Sequence, residues 1–289
     1  MIDVTGIASL TAAADGVAPL DEATLLTVRH HPERVRTWGD NRGFGLLVGR
    51  ELSLVVLPHH RGTGLGTRLL AEAPLPEPTP DGPVTAWSHG DHPAAAALAA
   101  SHGWRRAREL WVMRRPAAGL PPLGPAPDGV DVRGFRPGDE SELLRVNAAA
   151  FAHHPEQGSL DRAGLEERMG EPWFDADGLI EAWVSTGSTI GGGSTSGERL
   201  LGFHWTKRHS ETLGEVYVVG ISPDAQGRGL GRYLTLAGLH HLAARSDDRP
   251  GVDEIHLYVE ADNEPAVRLY SGLGFTHAQA DTHVQYVRD

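Results

Sequence analysis

The sequence contains no cysteine among its 289 residues. Disulfides, thiolate catalysis and cysteine-ligated metal sites are therefore excluded. No apolar run approaches the ~18 residues that a membrane-spanning helix needs. The first residues, MIDVTGIASLTAAADG, open with an acid and have no basic segment before their apolar part, so they do not predict a secretory signal. A cytoplasmic location is the default expectation.

Basic runs are also missing, and the formal net charge is −12. A phosphate-neutralising surface is not expected, so nucleic-acid binding is not predicted. An acidic chain accommodates a cationic substrate, such as an amine, more readily. Lysine is nearly absent, because Lys207 is the only one among 26 Lys and Arg residues. That makes it a candidate for a site that needs a compact cation, and chance survival on a strand edge is the equally weighted alternative.

Sixteen histidines raise the question of a metal site. Eight of them form adjacent pairs, at 30–31, 59–60, 153–154 and 240–241, and adjacent side chains diverge on a helix or a strand. No HExxH or comparable ligand spacing occurs in the sequence. The pattern favours solvated or hydrogen-bonded histidines and predicts no metal.

The length suits two domains of ordinary size. Residues 116–129, PAAGLPPLGPAPDG, are rich in proline, glycine and alanine and predict an interdomain linker. The expected domains are therefore 1–115 and 130–289. The glycine-rich stretch 187–197 lies between two apolar segments and predicts a mobile hairpin loop.

One glycine-rich phrase occurs twice, as RGTGLG at 61–66 and as QGRGLG at 226–231. Each copy follows a β-rich run and opens a helical pattern. A second strand then precedes a helical segment led by Asp91 or Asp262, which ends in glycine plus an aromatic residue. The repeat period, about 165–171 positions, is too long for a solenoid. The pattern predicts a tandem duplication of a mixed α/β unit.

A strand that ends in a glycine-rich turn and opens a helix is suited to phosphate binding. Glycine lets backbone N–H groups approach an anion, and the helix N-terminus adds partial positive charge. A Walker loop would need G-K-S/T, but Gly231 is followed by Arg232 and Tyr233. A dinucleotide-binding turn would need an acid after the next strand. Glu260 stands there, so that alternative stays weakly open.

The downstream segment decides between these alternatives. The pattern Pro223-x-x-Gln-Gly-x-Gly-Leu-Gly, followed later by Asn263-x-x-Ala-x-x-Leu-Tyr-x-x-x-Gly-Phe275, resembles the GNAT acetyltransferase superfamily. The resemblance implies two tandem GNAT domains, each with a central mixed β-sheet flanked by helices. It also implies that the turn holds the pyrophosphate of acetyl-CoA. By this resemblance the acetyl-CoA contacts would be Leu54, Val55, Val56, Gly62, Thr63, Gly64, Leu65, Gly66 and Thr67 in the first copy, and Val219, Gly220, Ile221, Gln226, Gly227, Arg228, Gly229, Leu230, Gly231, Arg232, Asn263, Glu264, Pro265, Ala266, Val267 and Arg268 in the second.

Further segments resemble the mycothiol synthases of actinobacteria, among them AFAHHPEQG at 150–158, WFDADGLI at 173–180 and LGFHWTK at 201–207. That family uses acetyl-CoA to acetylate the cysteinyl amine of cysteinyl-glucosaminyl-inositol. The resemblance implies a catalytic C-terminal domain, an N-terminal domain that keeps an acetyl-CoA site without catalysis, and a monomer. It also implies substrate contacts by Glu22, Glu156, Lys207, Glu215 and Tyr258. An enzyme acting on another amine, such as an aminoglycoside or a protein N-terminus, and a non-catalytic acetyl-CoA-binding module stay open as alternatives.

Catalytic roles follow from the resemblance together with the strand pattern. Glu215 precedes the second turn, on the strand face expected for Tyr217, and is the candidate base for the amine, directly or through a water. Backbone N–H groups near Val219–Ile221, where a bulge is expected, would donate to the oxyanion. Tyr270 is the candidate acid for the leaving thiolate, because the tyrosine of the LY pair usually has this role in GNAT enzymes.

The internal alignment predicts that only the second copy is catalytic. Tyr270 falls opposite Ala99, and Glu215 falls opposite Arg50. Glu51 is adjacent, but a shift of one residue turns a side chain to the other face of a sheet. The first copy therefore lacks a matching acid and a matching base, although its glycines still predict an anion site.

Overall fold

A computed structural model describes residues 2–77, 82–153, 155–190, 193–245 and 249–288, with side chains omitted at 155–156 and 186–196. The chain divides by its internal contacts into two compact units. Unit 1 comprises Met1–Val112, Val259–Glu264 and His277–Asp289, and unit 2 comprises Met113–Tyr258 and Pro265–Thr276.

The described residues form both helices and strands, which occur in short groups along the chain. The helices are α1 (Val4–Asp15), α2 (Glu22–His30), α3 (Leu65–Ala71), α4 (Pro93–Ser101), α5 (Glu140–Ala150), α6 (Pro155–Gly158), α7 (Arg162–Met169), α8 (Leu230–Ala243) and α9 (Glu264–Ser271). The strands are β1 (Val35–Asp40), β2 (Gly43–Val48), β3 (Glu51–Val56), β4 (Val84–Ser88), β5 (Arg105–Pro116), β6 (Val130–Gly134), β7 (Leu179–Ile190), β8 (Gly193–Arg208), β9 (Leu213–Ile221), β10 (Glu254–Glu260) and β11 (Thr276–Arg288).

Unit 1 has a mixed sheet in the order β1-β2-β3-β4-β11, followed by the first part of β5. The strands β1, β2 and β3 are antiparallel neighbours, whereas β3 and β4 run parallel. The adjacent residues Leu46 and Leu47 pack on opposite faces, as the two-residue period of a strand requires. Leu46 packs with Ile7 of α1, and Leu47 packs with Leu70 of α3 and with Trp104.

Unit 2 has the corresponding sheet in the order β6-β7-β8-β9-β10, followed by the end of β5. The strands β6 to β9 are antiparallel neighbours, and β9 runs parallel to β10. Trp183 packs with Val146 of α5 on one face, and Ala182 packs with Leu234 of α8 on the other. The predicted mixed sheets flanked by helices are confirmed.

The tandem repeat is visible in the order of elements. In unit 1, β3 leads through a short 3-10 helix at Pro58–His60 into the first glycine turn and α3. In unit 2, β9 leads through a 3-10 helix at Pro223–Ala225 into the second turn and α8. A strand and a helix follow in both, β4 and α4 in the first unit and β10 and α9 in the second. The predicted strand–turn–helix–strand–helix repeat is therefore confirmed.

Two sequence expectations differ from the structure. The expected domain 130–289 included β11, but His277–Asp289 groups with unit 1, where β11 pairs antiparallel with β4 from Val284↔Ser88 onward. Backbone pairing, not continuity along the chain, decides which sheet a strand joins. The expected loop at 187–197 is mostly strand, because β7 and β8 pair as far as Ile190 and Gly193. The domain limits 1–115 and 130–289 stay a prediction about folding units.

Within the described ranges no helix combines the length and the apolar character that a bilayer crossing requires.

Candidate active site

The two glycine turns have the same backbone conformation. Gly62 and Gly64 have φ values of 71° and 82°, and Gly227 and Gly229 both have 77°. Residues with a Cβ rarely adopt this left-handed region. A Cβ built at any of the four would meet no atom within 4 Å, so the backbone conformation, and not a lack of space, explains the need for glycine.

The turns leave the first N–H groups of their helices without a side-chain cap. Three other helices, α1, α2 and α7, begin with an aspartate whose carboxylate accepts a hydrogen bond from a backbone N–H. By contrast, α3 and α8 begin after Gly64 and Gly229, which offer no such acceptor. Uncapped N–H groups at a helix N-terminus form an anion-binding arrangement. Both turns therefore suit a phosphate group.

The first turn opens into a cavity of about 500 Å³ within unit 1. Arg61 lies at its edge, where its guanidinium pairs with Asp15 at 2.6 Å and approaches Nε2 of His92 at 3.2 Å. The hydrogen bond from Arg61 lowers the pKa of Asp15. Thr63 instead lines a neighbouring cavity of about 220 Å³. The residues predicted to contact acetyl-CoA that line the larger cavity are Leu54, Val55, Val56, Gly62, Gly64, Leu65, Gly66 and Thr67.

The acetyl-CoA contacts expected in the second copy fall into three segments. Val219–Ile221 close β9, and Gln226–Arg232 form the second turn and the start of α8. Pro265–Arg268 lie in α9 within unit 2, whereas Asn263 and Glu264 group with unit 1. Their roles in binding stay predictions.

A row of charged and titratable side chains crosses the sheet of unit 2 ahead of the second turn. Lys207 on β8 is the register partner of Glu215 on β9, and Glu215 is the register partner of His256 on β10. Register partners on neighbouring strands present their side chains on the same face of a sheet. All three are buried, with exposed fractions of 7% for Lys207, 5% for Glu215 and 5% for His256.

Glu215 is held as an anion by two histidines. Nε2 of His209 lies 2.6 Å from its Oε2 atom, and Nε2 of His256 lies 3.6 Å from the same oxygen. Burial alone would raise the pKa of Glu215. The hydrogen bond from His209 and the interaction with the nearby His256 together outweigh burial and lower the pKa of Glu215 to about 2. The carboxylate is therefore ionised throughout the neutral pH range.

His209, Glu215 and His256 are also close enough together to be considered as ligands of one metal ion. The nearest ligand atoms of His209, Glu215 and His256 all lie within 4.8 Å of one another. Two ligands of one tetrahedral zinc ion, each at about 2.0–2.1 Å from it, would be about 3.3 Å apart. The 2.6 Å separation of His209 and Glu215 is a hydrogen-bond distance instead. His209 and Glu215 are therefore arranged as a hydrogen-bonded pair, with His256 beside them at 3.6 Å.

Lys207 is enclosed by aromatic rings. Its Nζ atom lies 4.6 Å from the ring centre of Trp173 and 5.3 Å from that of Tyr217. Trp205 packs against both rings, and the hydroxyl of Tyr217 accepts a hydrogen bond from Arg168 at 3.1 Å. Cation–π contacts stabilise a buried ammonium. The only lysine of the chain therefore lies against two aromatic rings, at the strand position paired with Glu215.

The two candidate tyrosines differ in their surroundings. Tyr258 is 43% exposed, and its ring lies 5.5 Å from that of His256. Tyr270 lies on α9, half-buried, with its ring 6.0 Å from Phe275. Burial raises the pKa of the Tyr270 hydroxyl to about 12, so it is protonated at neutral pH. This protonation state is the one that the predicted role as an acid needs.

Two other residues predicted to bind the substrate are not placed beside Glu215 by the described structure. Glu22 begins α2 in unit 1, and the side chain of Glu156 lies outside the described part of the chain. The bulge expected near Val219–Ile221 is wrong, because the register of β8 and β9 shifts at Tyr217 and those three residues pair regularly. Sequence reasoning also missed His209 and His256, because only the strand register places them beside Glu215.

Comparison with known proteins supports this description. Residues 159–275 match the Acetyltransferase (GNAT) family. A GCN5-related N-acetyltransferase from Sphaerobacter thermophilus shares the fold over 98% of this chain and 91% of its own, with a TM-score of 0.64 and 22% identity. A tandem GNAT protein from the clavulanic acid biosynthesis pathway shares the fold over 100% of this chain and 96% of its own, with a TM-score of 0.64 and 18% identity. The fold and the second turn thus define an acetyltransferase of the GNAT class.

Sequence relatives narrow this class. A mycothiol acetyltransferase of Nocardioides sp. is 60% identical over 297 residues, which cover 99% of this chain and 96% of the relative. A mycothiol acetyltransferase of Actinosynnema mirum is 46% identical, with 98% of this chain and 94% of the relative covered. The chain belongs to the mycothiol acetyltransferase family, and the resemblance found in its sequence is confirmed.

Proposed function

We propose that the protein transfers the acetyl group of acetyl-CoA to the cysteinyl amine of cysteinyl-glucosaminyl-inositol, giving mycothiol and CoA. The observation that carries the proposal is the buried Lys207–Glu215 pair on neighbouring strands ahead of the second turn, in a chain of this family. A carboxylate attracts the substrate ammonium, and a buried cation beside it suits a hydroxyl-rich acceptor. Glu22, Glu156 and Tyr258 complete the substrate contacts in this proposal.

The reaction needs the amine to lose a proton before it attacks the thioester. A free α-amino group has a pKa of about 7.7–8.0, so the required deprotonation is modest. Glu215 takes part in this deprotonation, directly, through a water or through a side chain that it orients. Tyr270 protonates the leaving thiolate, and backbone N–H groups at the end of β9 stabilise the oxyanion. Positioning of the two substrates contributes most of the acceleration, up to ~7–11 kcal/mol for ideal geometry.

Acetyl-CoA is the acyl donor in this proposal. Its pyrophosphate binds at Gln226–Arg232, where the N-terminus of α8 is uncapped. The first turn and its cavity bind a second acetyl-CoA without catalysis. This assignment is supported by the glycine conformations and by the lining of the cavity. The expectation of a cytoplasmic monomer that requires no metal stays a prediction.

The experiment compares amine acceptors under identical conditions. The purified protein is incubated with acetyl-CoA and cysteinyl-glucosaminyl-inositol, an aminoglycoside or a peptide with a free N-terminus. The acetylated product is quantified by mass spectrometry, because the thiol of the first substrate would disturb a thiol-based assay of CoA. We expect the highest kcat/KM with the cysteinyl conjugate. A higher value with an aminoglycoside or a peptide would contradict the proposal.

A further inference from the structure

Two histidines without an assigned role flank Glu215 in unit 2. His209 lies in the tight turn between β8 and β9, where its backbone N–H donates to the carbonyl oxygen of Leu213 at 3.0 Å. This turn holds its Nε2 atom 2.6 Å from Oε2 of Glu215. His256 approaches the same oxygen from β10, and the two imidazole rings are 5.0 Å apart.

The short hydrogen bond determines which ring nitrogen of His209 carries the proton and which one carries the lone pair. An ionised carboxylate only accepts hydrogen bonds, so Nε2 of His209 carries the proton that Glu215 accepts. In the neutral ring Nδ1 then keeps its lone pair. The His209 side chain is 33% exposed, so the ring can meet a bound substrate and exchange protons with water.

We propose that Nδ1 of His209 accepts the proton of the substrate amine, and that Glu215 orients the ring and stabilises the imidazolium. The inference rests on the proposed function, because it names the base of that same site. In this step an N–H bond of the ammonium breaks and an N–H bond forms at Nδ1. The freed lone pair of the amine attacks the thioester carbonyl, the C–S bond breaks, and the leaving thiolate takes the proton of Tyr270. The second proton lost by the amine nitrogen restores the Tyr270 hydroxyl. His209 then releases the proton to water.

The basicity of the two groups supports this assignment. A general base works best when its pKa is close to the pH of the reaction. Imidazole is the side chain that ordinarily exchanges its proton in the neutral range. The two histidines hold the pKa of Glu215 at about 2, far below the ~7.7–8.0 of an α-amino group. Glu215 is therefore suited to orienting a base and is a poor proton acceptor itself.

Few titratable groups surround this pair in the described part of unit 2. Lys207 faces Glu215 from β8, and His256 faces both Glu215 and His209 from β10. Tyr258 contacts the ring of His256. Both ring nitrogens of His256 are buried, and among the described residues neither has a hydrogen-bond partner. His256 therefore positions the carboxylate but is shielded from solvent. The side chain of His209, by contrast, is accessible to solvent.

The first test replaces His209 in the whole chain. His209→Gln is expected to lower kcat by about 10²–10⁴-fold, the usual range for a lost general base. The KM for acetyl-CoA should change little, and the fall of kcat/KM at low pH that reports the imidazole should disappear. The control is His30→Gln, which replaces an exposed histidine of α2. It should leave kcat and the pH profile of kcat/KM unchanged. Wild-type kcat and an unchanged pH profile in His209→Gln would overturn the proposal.

The second test is chemical rescue of His209→Ala by added imidazole. A free imidazole can fill the vacated space and restore turnover, whereas it cannot replace the carboxylate in Glu215→Gln. A merely structural role of His209 would not be relieved in this way. If His209→Ala melts like the wild type and stays inactive at every imidazole concentration, His209 is not the acceptor. A wild-type activity that is lost on chelation and restored by zinc would also overturn the proposal.

The amine used in these tests separates this inference from the proposed function. If the wild-type protein acetylates an aminoglycoside or a peptide instead of the cysteinyl conjugate, the proposed function fails. The same variants are then assayed with that amine, and the role of His209 is decided independently.

Discussion

The first and second glycine turns share one backbone conformation but are surrounded by different side chains. Gly64 and Gly229 have φ values of 82° and 77°, and each directly precedes an uncapped helix. The position that holds Glu215 in the second copy holds Arg50 in the first. The guanidinium of Arg50 donates to the carbonyl oxygens of Glu77 and Pro83 instead of facing histidines.

The candidate acid differs between the copies in the same way. Tyr270 corresponds to Ala99, which is buried and packs with Leu70 and Trp104 in the core of unit 1. The first turn also differs in charge, since Arg61 is paired with Asp15. The comparison shows that the conformation of the glycine turn depends on only a few local residues, which both copies have. Catalysis needs particular side chains, so we expect it only in the copy that has Glu215 and Tyr270.

The largest expected effect comes from blocking the second turn. Gly229→Val should abolish turnover, because a β-branched residue disfavours the left-handed backbone and hinders the approach of phosphate. Gly64→Val is its matched control, since the two glycines have nearly the same φ and equally open surroundings. Both variants should lose similar stability, but Gly64→Val should keep most activity while acetyl-CoA binding in unit 1 falls.

Turnover, binding stoichiometry by calorimetry and thermal melting together test this pair. The melting curves must be compared without ligand, because bound acetyl-CoA stabilises the native state. An active, folded Gly229→Val protein would place the chemistry in unit 1 and reverse the comparison.

Glu215→Gln is expected to have the next largest effect. The substitution keeps the shape and removes the charge, so kcat should fall by about 10²–10⁴-fold at pH 7 and recover in part at high pH, where more of the amine is already deprotonated. Glu211→Gln, in the exposed turn that joins β8 and β9, is the matched control and should be neutral. Steady-state kinetics from pH 6 to 10 provide the measurement. Unchanged turnover of Glu215→Gln at pH 7 would exclude Glu215 from the base function.

Tyr270→Phe is expected to have a smaller effect, about 10²-fold in kcat, at the low end of the range for a lost general acid. Acetyl-CoA affinity should stay near the wild-type value, because the ring is retained. The control is Tyr286→Phe, which removes a hydroxyl from one of the residues that line the unit 1 cavity and should not change kcat. Weaker acetyl-CoA binding with normal turnover in Tyr270→Phe would identify its hydroxyl as a ligand and not an acid.

The smallest effect concerns the sheet of unit 2, which buries Glu181. Burial raises the pKa of this carboxyl from 4.5 to about 8, although Trp183 donates a hydrogen bond to it at 3.1 Å. A raised carboxyl pKa means that the folded state holds a proton that the unfolded state releases above pH 4.5. The free energy of unfolding should therefore decrease as the pH rises from about 4.5 to 8 and then level off.

Glu181→Gln should remove that slope and raise the melting temperature at pH 8 relative to the wild type, by an amount corresponding to on the order of 1–3 kcal/mol. Asp131→Asn, an exposed change on the neighbouring strand, should leave the slope in place. Thermal melts at pH 5 and pH 8 decide the question. An equal slope in Glu181→Gln and in the wild type would show that another group causes it.

Much of the candidate site could be predicted because its signals are local. A left-handed backbone position selects glycine, so the two turns and the helices after them could be recognised from short stretches. The scarcity of lysine singled out Lys207, which the structure places beside Glu215. The bulge was misplaced because it depends on how β8 and β9 pair, and no local signal near Val219 specifies the pairing.

The sequence by itself determined the duplicated unit, the conformation of the glycine turns and the family, since each depends on residues close together in the chain or on similarity along it. Only the tertiary structure decided which groups surround Glu215 and which sheet β11 joins. His256 is 41 positions from Glu215 in the sequence, and the parallel register of β9 and β10 makes them neighbours. The physical reason is that strand pairing depends on backbone hydrogen bonds and core burial between segments far apart in the sequence. No single segment therefore specifies it.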